Sequence, residues 1–540
     1  MRRRRSSPPV PPPVPDAPFS IRGRLLAAAV GGLLLGLTMP TVGFAVLLPV
    51  ALVPLMAAVE GSAPVAAALV GGTFGATFWL TTIPWVAYTV HHFGEFPWVV
   101  SGLAVLIASF ILALPFGAMA WLVALAGPVA PWGTAATWVA AWVLQETIRI
   151  HFLGGLPWAL LAHPLVAVPE LVQTAALGGA LLPGALVVLL DALLFAAFRA
   201  GNARQRAGFA ALGALLAASV WLFGAARLRS LEAAPGPVLP PLRVTLIQPN
   251  VAQTLRFTLE AREAIYQNLM AQTRAVARRD RPDLILWPES AVPWDWQTST
   301  RIQKETFDLC REERTSLLLN TVWSDRPEDD DAPYYNAALL VTASGPVLPP
   351  YEKQRLVPFG EYVPLGALLR SIRPISRAVP GSFSPGNGGE PIPIGPWRLG
   401  GAVCYEVIYP WIARGHVLRG ANVLFTLTND AWYGTLGARE QHWQGAALRS
   451  VETGVPLLRA AITGITGWVD PGGVRHTIPV DVEGSLTVTL GGATGRARPL
   501  FPPPAVEVGD LLAAVCAAGA GIGILRRRVF QPRKTAGTTL

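Results

Sequence analysis

The chain has 540 residues, 52% of them hydrophobic and only 14% charged, with a formal net charge of +9. That length exceeds what one core organises, and that balance excludes an ordinary water-soluble domain in favour of a membrane protein. Three cysteines exclude a disulfide-built scaffold, and much of the positive excess sits in the two tails, which weakens the case for a nucleic-acid partner.

In chain order, residues 1–23 combine Arg2 to Arg5 with a proline-rich run from Pro8 to Pro18 and are expected to form a disordered cytoplasmic tail. Residues 24–228 hold few charges and predict a membrane domain of about seven helices, near 24–40, 42–59, 64–88, 98–125, 133–150, 172–198 and 207–227. The first two, parted by Met39-Pro40-Thr41, are either a hairpin or one broken segment. An eighth span is expected at 507–525, followed by a basic cytoplasmic tail at 526–540. Short cytoplasmic loops collect Lys and Arg, so Arg2 to Arg5, the loop with Arg199, Arg204 and Arg206, and the tail from Arg526 to Lys534 belong on one side. The soluble stretch between spans seven and eight then lies outside the cytoplasm, although Arg227 and Arg229 fall on the wrong side for this count. Within the membrane half, Glu146 and Arg149 share one helix face, either as a structural ion pair or near a substrate.

Residues 242–495 have normal acidic and basic content. Apolar strands at 243–251, 284–287, 316–320, 336–341, 400–403, 423–427, 455–462 and 481–490 alternate with helices near 259–279, 300–312 and 439–452. Such alternation predicts an α/β sandwich. Neither a glycine-rich nucleotide fingerprint nor zinc-type spacing of Cys and His occurs, so no cofactor and no metal are expected.

Three polar residues stand where strands run out. Glu289 follows Leu284-Ile285-Leu286-Trp287-Pro288, Lys353 opens the run to Pro364, and Cys404 ends Gly400-Gly401-Ala402-Val403. Cys404 taken alone reads more readily as a small buried hydrophobe than as a nucleophile. Together with a carboxylate and an ammonium it forms an acyl-transfer set: Glu289 to take the thiol proton, Lys353 to stabilise thiolate and oxyanion. A Cys–His scheme through His442 is the rival.

Trp287-Pro288-Glu289-Ser290, the run Lys353 to Pro364 and Cys404-Tyr405-Glu406 resemble the nitrilase superfamily. That resemblance implies an α-β-β-α sandwich. Leu356-Val357-Pro358-Phe359-Gly360-Glu361-Tyr362-Val363-Pro364, Thr428-Asn429-Asp430-Ala431-Trp432-Tyr433-Gly434 and the flanking spans resemble, more narrowly, the apolipoprotein N-acyltransferases. The resemblance implies Glu289 as general base, Lys353 as intermediate stabiliser and Cys404 as nucleophile, with Glu361, Tyr405, Glu406, Trp287 and Phe257 supporting the site or binding substrate. It implies transfer of an acyl chain from a membrane phospholipid, through a Cys404 thioester, to the N-terminal amine of an apolipoprotein's lipid-modified cysteine. The setting would be the bacterial inner membrane, with the catalytic domain facing the periplasm.

Two positions depart from that pattern: Ile462 where asparagine is usual, and Phe257 where tryptophan is common. Trp294 and Trp296, with Leu365, Leu368, Leu369 and Ile372, either pack inside the sandwich or, the preferred expectation, dip into the bilayer as a mobile lid over the thiol. A membrane-anchored amidohydrolase using water is the alternative activity; a transporter or receptor with a degenerate sandwich is the alternative class.

Overall fold

The computed structural model describes residues 20–40, 42–127, 131–233, 239–251, 259–292, 294–329, 331–363 and 383–491. Both tails, the expected span at 507–525, Phe257 and the stretch from Leu365 to Ile372 lie outside the described residues.

Five helices among the described residues are long and apolar enough to cross a bilayer: Ile21–Thr38, Pro64–Thr82, Trp98–Ala126, Leu181–Arg199 and Ala203–Ala233. Three expected spans are broken, each for a local reason. The second becomes a 3-10 turn, Ala45–Val50, and a short helix, Val53–Val59, because Pro49 and Pro54 lack the amide donors of a continuous helix. The third ends at Thr82 and restarts beyond Pro84 as Trp85–Gly94. The sixth is interrupted at Gly179, whose φ of 63° lies in the left-handed region. Pro64–Thr82 packs closely on Trp98–Ala126 through Gly71 and Gly75, since a methyl at Gly71 would collide with the Phe116 carbonyl. Apolar side chains point outward, with Val46, Val65 and Val99 exposed by 83%, 80% and 84%. Water would not tolerate such a surface and lipid does, so the chain is a membrane protein.

The soluble half is a double sheet. One sheet has the strand order β12-β1-β2-β3-β4-β5 and the other β11-β10-β9-β8-β7-β6. In the first, β1 (Leu242–Gln248), β2 (Leu284–Leu286) and β3 (Ser316–Trp323) run parallel, flanked by antiparallel β12 (Gly484–Leu490), β4 (Tyr335–Thr342) and β5 (Gly345–Glu352). In the second, β7 (Trp397–Val403), β8 (Val423–Thr428) and β9 (Leu457–Ala461) run parallel, with β6 (Ile392–Ile394), β10 (Gly467–Val469) and β11 (Arg475–Thr477) antiparallel at the edges. Strand alternation splits the apolar residues. Val244, Leu246, Leu284, Leu286, Leu399, Val403, Phe425 and Leu427 meet between the sheets. Ile247, Ile285, Trp287 and Leu319 face the outer helices Leu259–Asp280 and Thr300–Glu312.

The other outer layer, helices Pro410–Leu418 and Ala438–Thr453, belongs to one continuous apolar core with the membrane half, joining Ile408, Trp443 and Leu448 to Trp158, Leu160 and Val172. The second sheet's helices are therefore the docking face. Arg227 lies buried in this junction, donating to Gln173 Oε1 and, at 3.5 Å, to the Val451 carbonyl. It is an interface residue, which accounts for a charge that the loop-charge count places on the wrong side.

Candidate active site

The carboxyl ends of parallel strands leave backbone and side chains free to converge, and here they converge between the two sheets. Glu289 leaves β2 through Pro288, Lys353 follows β5, and Cys404 leaves β7 with φ of 53°, an unfavourable backbone for a non-glycine residue that turns the chain sharply at the sulfur. All three are buried, with Glu289 and Cys404 6% exposed and Lys353 1%.

Lys353 Nζ donates to Glu361 Oε1 at 2.8 Å and lies 3.6 Å from Glu289 Oε1. Asn336 Nδ2 reaches both carboxylates, Glu361 at 2.8 Å and Glu289 at 3.1 Å, and the Asn429 amide donates to Glu289 Oε2 at 3.1 Å. Burial alone would strip Lys353 of its proton, but Glu361 and then Glu289 outweigh it and hold the ammonium above its usual range. Burial pushes the Cys404 thiol up to about 12, with Glu289 adding to the rise and Lys353 opposing it. The resting sulfur is thus a thiol beside a carboxylate. Thr428 Oγ1 lies 3.3 Å from Cys404 Sγ and 3.1 Å from Asp430 Oδ1.

Glu406 welds the two halves of the site together. Its Oε1 accepts from the amides of Gln354 at 2.6 Å and Arg355 at 3.0 Å; its Oε2 accepts from Val403 N at 2.8 Å and Tyr351 Oη at 2.9 Å. The chain after Lys353 is thereby tied to the chain around Cys404. Gly401 permits it, because a methyl there would come 2.8 Å from the Tyr351 ring. Burial raises Glu406 to about 7 despite Lys353. Glu406→Ala should cost about 3 kcal/mol by stranding two buried donors, Val403 N and Tyr351 Oη, and two part-buried ones, and Glu406→Gln less, read from thermal unfolding midpoints.

Trp287, also in the expected set, is fully buried behind the sheet, its indole N–H donating to Thr273 Oγ1 at 2.9 Å. It braces the Glu289 strand from the helix side. Tyr409 Oη donates its proton to the Gly155 carbonyl at 3.0 Å and accepts from Tyr405 Oη at 3.1 Å, so the aromatic beside the cysteine faces the membrane half. Tyr433 forms another wall, edge-on to Trp85 at 5.2 Å.

His442 does not address the sulfur. Its Nε2 donates to the Cys404 carbonyl at 3.1 Å, while Nδ1 lies 3.2 Å from both Arg459 Nη2 and Asp430 Oδ1. Burial and then Arg459 lower its basicity, so the ring stays neutral, with Nδ1 accepting from Arg459. Both nitrogens are occupied, which removes the Cys–His scheme. Ile462 lies in a small apolar cluster with Val251 and Ala431, so its departure orphans no polar group. The lid expectation fails for two of its members: Trp296 is buried with its N–H on Thr306 Oγ1 at 3.0 Å, and Trp294 packs edge-on against Tyr266 on the outer helices. Glu146 and Arg149 are structural, Glu146 Oε1 accepting from Leu161 N at 2.8 Å and Arg149 donating to the Trp158 carbonyl at 2.6 Å.

The loop that they fold delivers Trp158 to Gln441, one residue before His442. Gln441 Oε1 accepts from Trp158 Nε1 at 2.6 Å and Trp85 Nε1 at 3.3 Å; its amide donates to the Thr82 carbonyl at 2.9 Å and to that of Pro40. Four contacts from the membrane half thus meet on one side chain. Gln441→Leu should lower stability by about 3 kcal/mol in a thermal melt of the detergent-solubilised protein.

Two sheets of this topology, with a carboxylate, an ammonium and a thiol at their strand ends, define the carbon-nitrogen hydrolase class, and that family's model matches residues 243–494. Residues 31–193 match the apolipoprotein N-acyltransferase N-terminal domain. Curated relatives named apolipoprotein N-acyltransferase include one from Geobacter metallireducens, 31% identical over 94% of this chain and 96% of its own length. Another, from Pseudomonas syringae pv. tomato, is 30% identical over 85% of this chain and 88% of its own. This chain belongs to the apolipoprotein N-acyltransferase family. Among solved structures, the carbon-nitrogen hydrolase from Helicobacter pylori G27 is 16% identical, aligning over 46% of this chain and 89% of its own with a TM-score of 0.35.

Proposed function

We propose that this chain carries out N-acylation of apolipoproteins at the extracytoplasmic face of the bacterial inner membrane, using Cys404 as nucleophile, Glu289 as general base and Lys353 as intermediate stabiliser. In the first step Glu289 takes the thiol proton as sulfur attacks an ester carbonyl of a membrane phospholipid. Lys353 offsets the negative charge on the carbonyl oxygen, the ester C–O bond breaks, and Glu289 returns the proton to the departing alcohol. A thioester and a lysophospholipid result. In the second step the neutral α-amine of the diacylglyceryl-cysteine attacks the thioester, Glu289 takes a proton from the amine nitrogen, the C–S bond breaks, and Glu289 passes that proton to the departing sulfur, giving an amide and the thiol.

The observation that carries the reading is the contact of Lys353 with both Glu361 and Glu289, in a site whose thiol segment packs directly on the membrane half. Both substrates are bilayer-bound, and a thioester formed there is shielded from water. The placement of the sandwich outside the cytoplasm rests on the basic residues Arg2 to Arg5, Arg199, Arg204 and Arg206 lying on the opposite side.

Purified protein given phospholipid and a diacylated lipopeptide should yield the N-acylated peptide, detected by mass. Release of free fatty acid without amide would instead identify an amidohydrolase that uses water.

A further inference from the structure

One cation near Cys404 has no role in that scheme. Arg355 lies two residues beyond Lys353, and its backbone amide is fixed on Glu406 Oε1 at 3.0 Å. Its side chain is exposed. The guanidinium carbon stands 5.8 Å from the Tyr409 ring centre and 5.4 Å from that of Trp411. Two rings brace the planar cation, and among the described residues no oxygen accepts from its N–H groups. The neighbouring carboxylates are taken: Glu361 by Lys353, Asn336 and Val357 N, Glu406 by its four donors. Residues 364–382, which follow in sequence, contain no Asp or Glu.

The surroundings are those of a headgroup layer. Trp411 stacks on His151 at 5.3 Å, and Tyr409 reaches Gly155, both at the end of helix Pro131–His151. Next to them Ile148 and Phe152 are 40% and 67% exposed. Aromatic and basic groups beside outward apolar ones, on the face where the sandwich meets the membrane half, mark the level of lipid phosphates.

We propose that Arg355, braced by Tyr409 and Trp411, binds the phosphodiester of the phospholipid donor and so holds the headgroup while the acyl ester reaches Cys404. The proposal rests on the acyl-transfer reading above. The free edge of a guanidinium offers parallel N–H donors that match two non-bridging phosphate oxygens. Inorganic phosphate shares that chemistry, so the test separates the two sources.

The full chain in mixed micelles is given phosphatidylethanolamine or a diacylglycerol with the same acyl chains, and kcat/KM for Cys404 acylation is measured with each. Arg355→Gln should lower the ratio of phospholipid to diacylglycerol efficiency about tenfold, and Arg355→Lys, which keeps the charge without the fork, should recover part of it. A ratio unchanged in Arg355→Gln overturns the proposal. Added inorganic phosphate that alters both efficiencies equally, and only when Arg355 is present, assigns the site to a free anion and also overturns it. Absence of any wild-type acylation of Cys404 strikes the acyl-transfer reading itself, which is a distinguishable failure.

Discussion

Glu289→Gln should slow acylation of Cys404 about a thousandfold at neutral pH, measured as single-turnover formation of the acyl-enzyme. Burial, and after it the charge of Glu289, hold the thiol well above its ordinary value, so the resting sulfur keeps its proton at neutral pH. On the proposed mechanism attack is concerted with proton removal by Glu289, whose carboxyl group is oriented by Asn336 at 3.1 Å and the Asn429 amide at 3.1 Å. Glutamine keeps the shape and loses the basicity. The sign of the pH dependence follows. Without the base, the rate tracks the thiolate fraction and should climb about tenfold per pH unit toward a thiol pKa that falls once the charge of Glu289 is gone, whereas the wild type should show a shallower slope. A wild-type rate that climbed tenfold per unit would mean that the thiol ionises unaided.

The second large effect is expected at Lys353. Lys353→Met should reduce acylation about a thousandfold and also destabilise the protein by about 3 kcal/mol, because the buried Glu289 and the part-buried Glu361 lose their shared cation. The two losses have different origins, and a double variant separates them. Adding Glu361→Gln to Lys353→Met removes one stranded charge, so the thermal midpoint should recover part of its fall while acylation stays lost. Recovery of both would mean that Lys353 acts only by neutralising Glu361; recovery of neither would place the instability elsewhere than in the unpaired carboxylates.

Much of this site was legible because two of its reacting groups stand at the end of an apolar strand, where a polar residue has no structural reason to be. Glu289 and Cys404 share that signature, whereas Lys353 follows the proline-bearing β5 and was marked by the run from Lys353 to Pro364 instead. Asn336 also opens such a strand and carries the hydrogen bonds that join Glu289 to Glu361, yet a strand-start asparagine looks like turn chemistry in one dimension. Gln441 was illegible for a deeper reason: its four partners come from residues 40 to 158, and no periodicity encodes contact across such a distance. Strands β5, β6, β10 and β11 escaped because each is short, proline-bearing or exposed at an edge, without the apolar run that marks a central strand. The membrane half was legible in composition and not in segmentation. Hydropathy registers apolar length, whereas Pro49, Pro84 and Gly179 decide where a helix stops.

Intact-protein mass spectrometry after mixing with phospholipid and quenching in acid tests the central claim most directly. The account predicts an added mass equal to one fatty acyl group, mapped to the peptide holding Cys404, released by hydroxylamine, absent from Cys404→Ala and discharged by a lipopeptide amine as an amide. An adduct that persists in Cys404→Ala, or the absence of any adduct from a protein that still forms the amide, would contradict it.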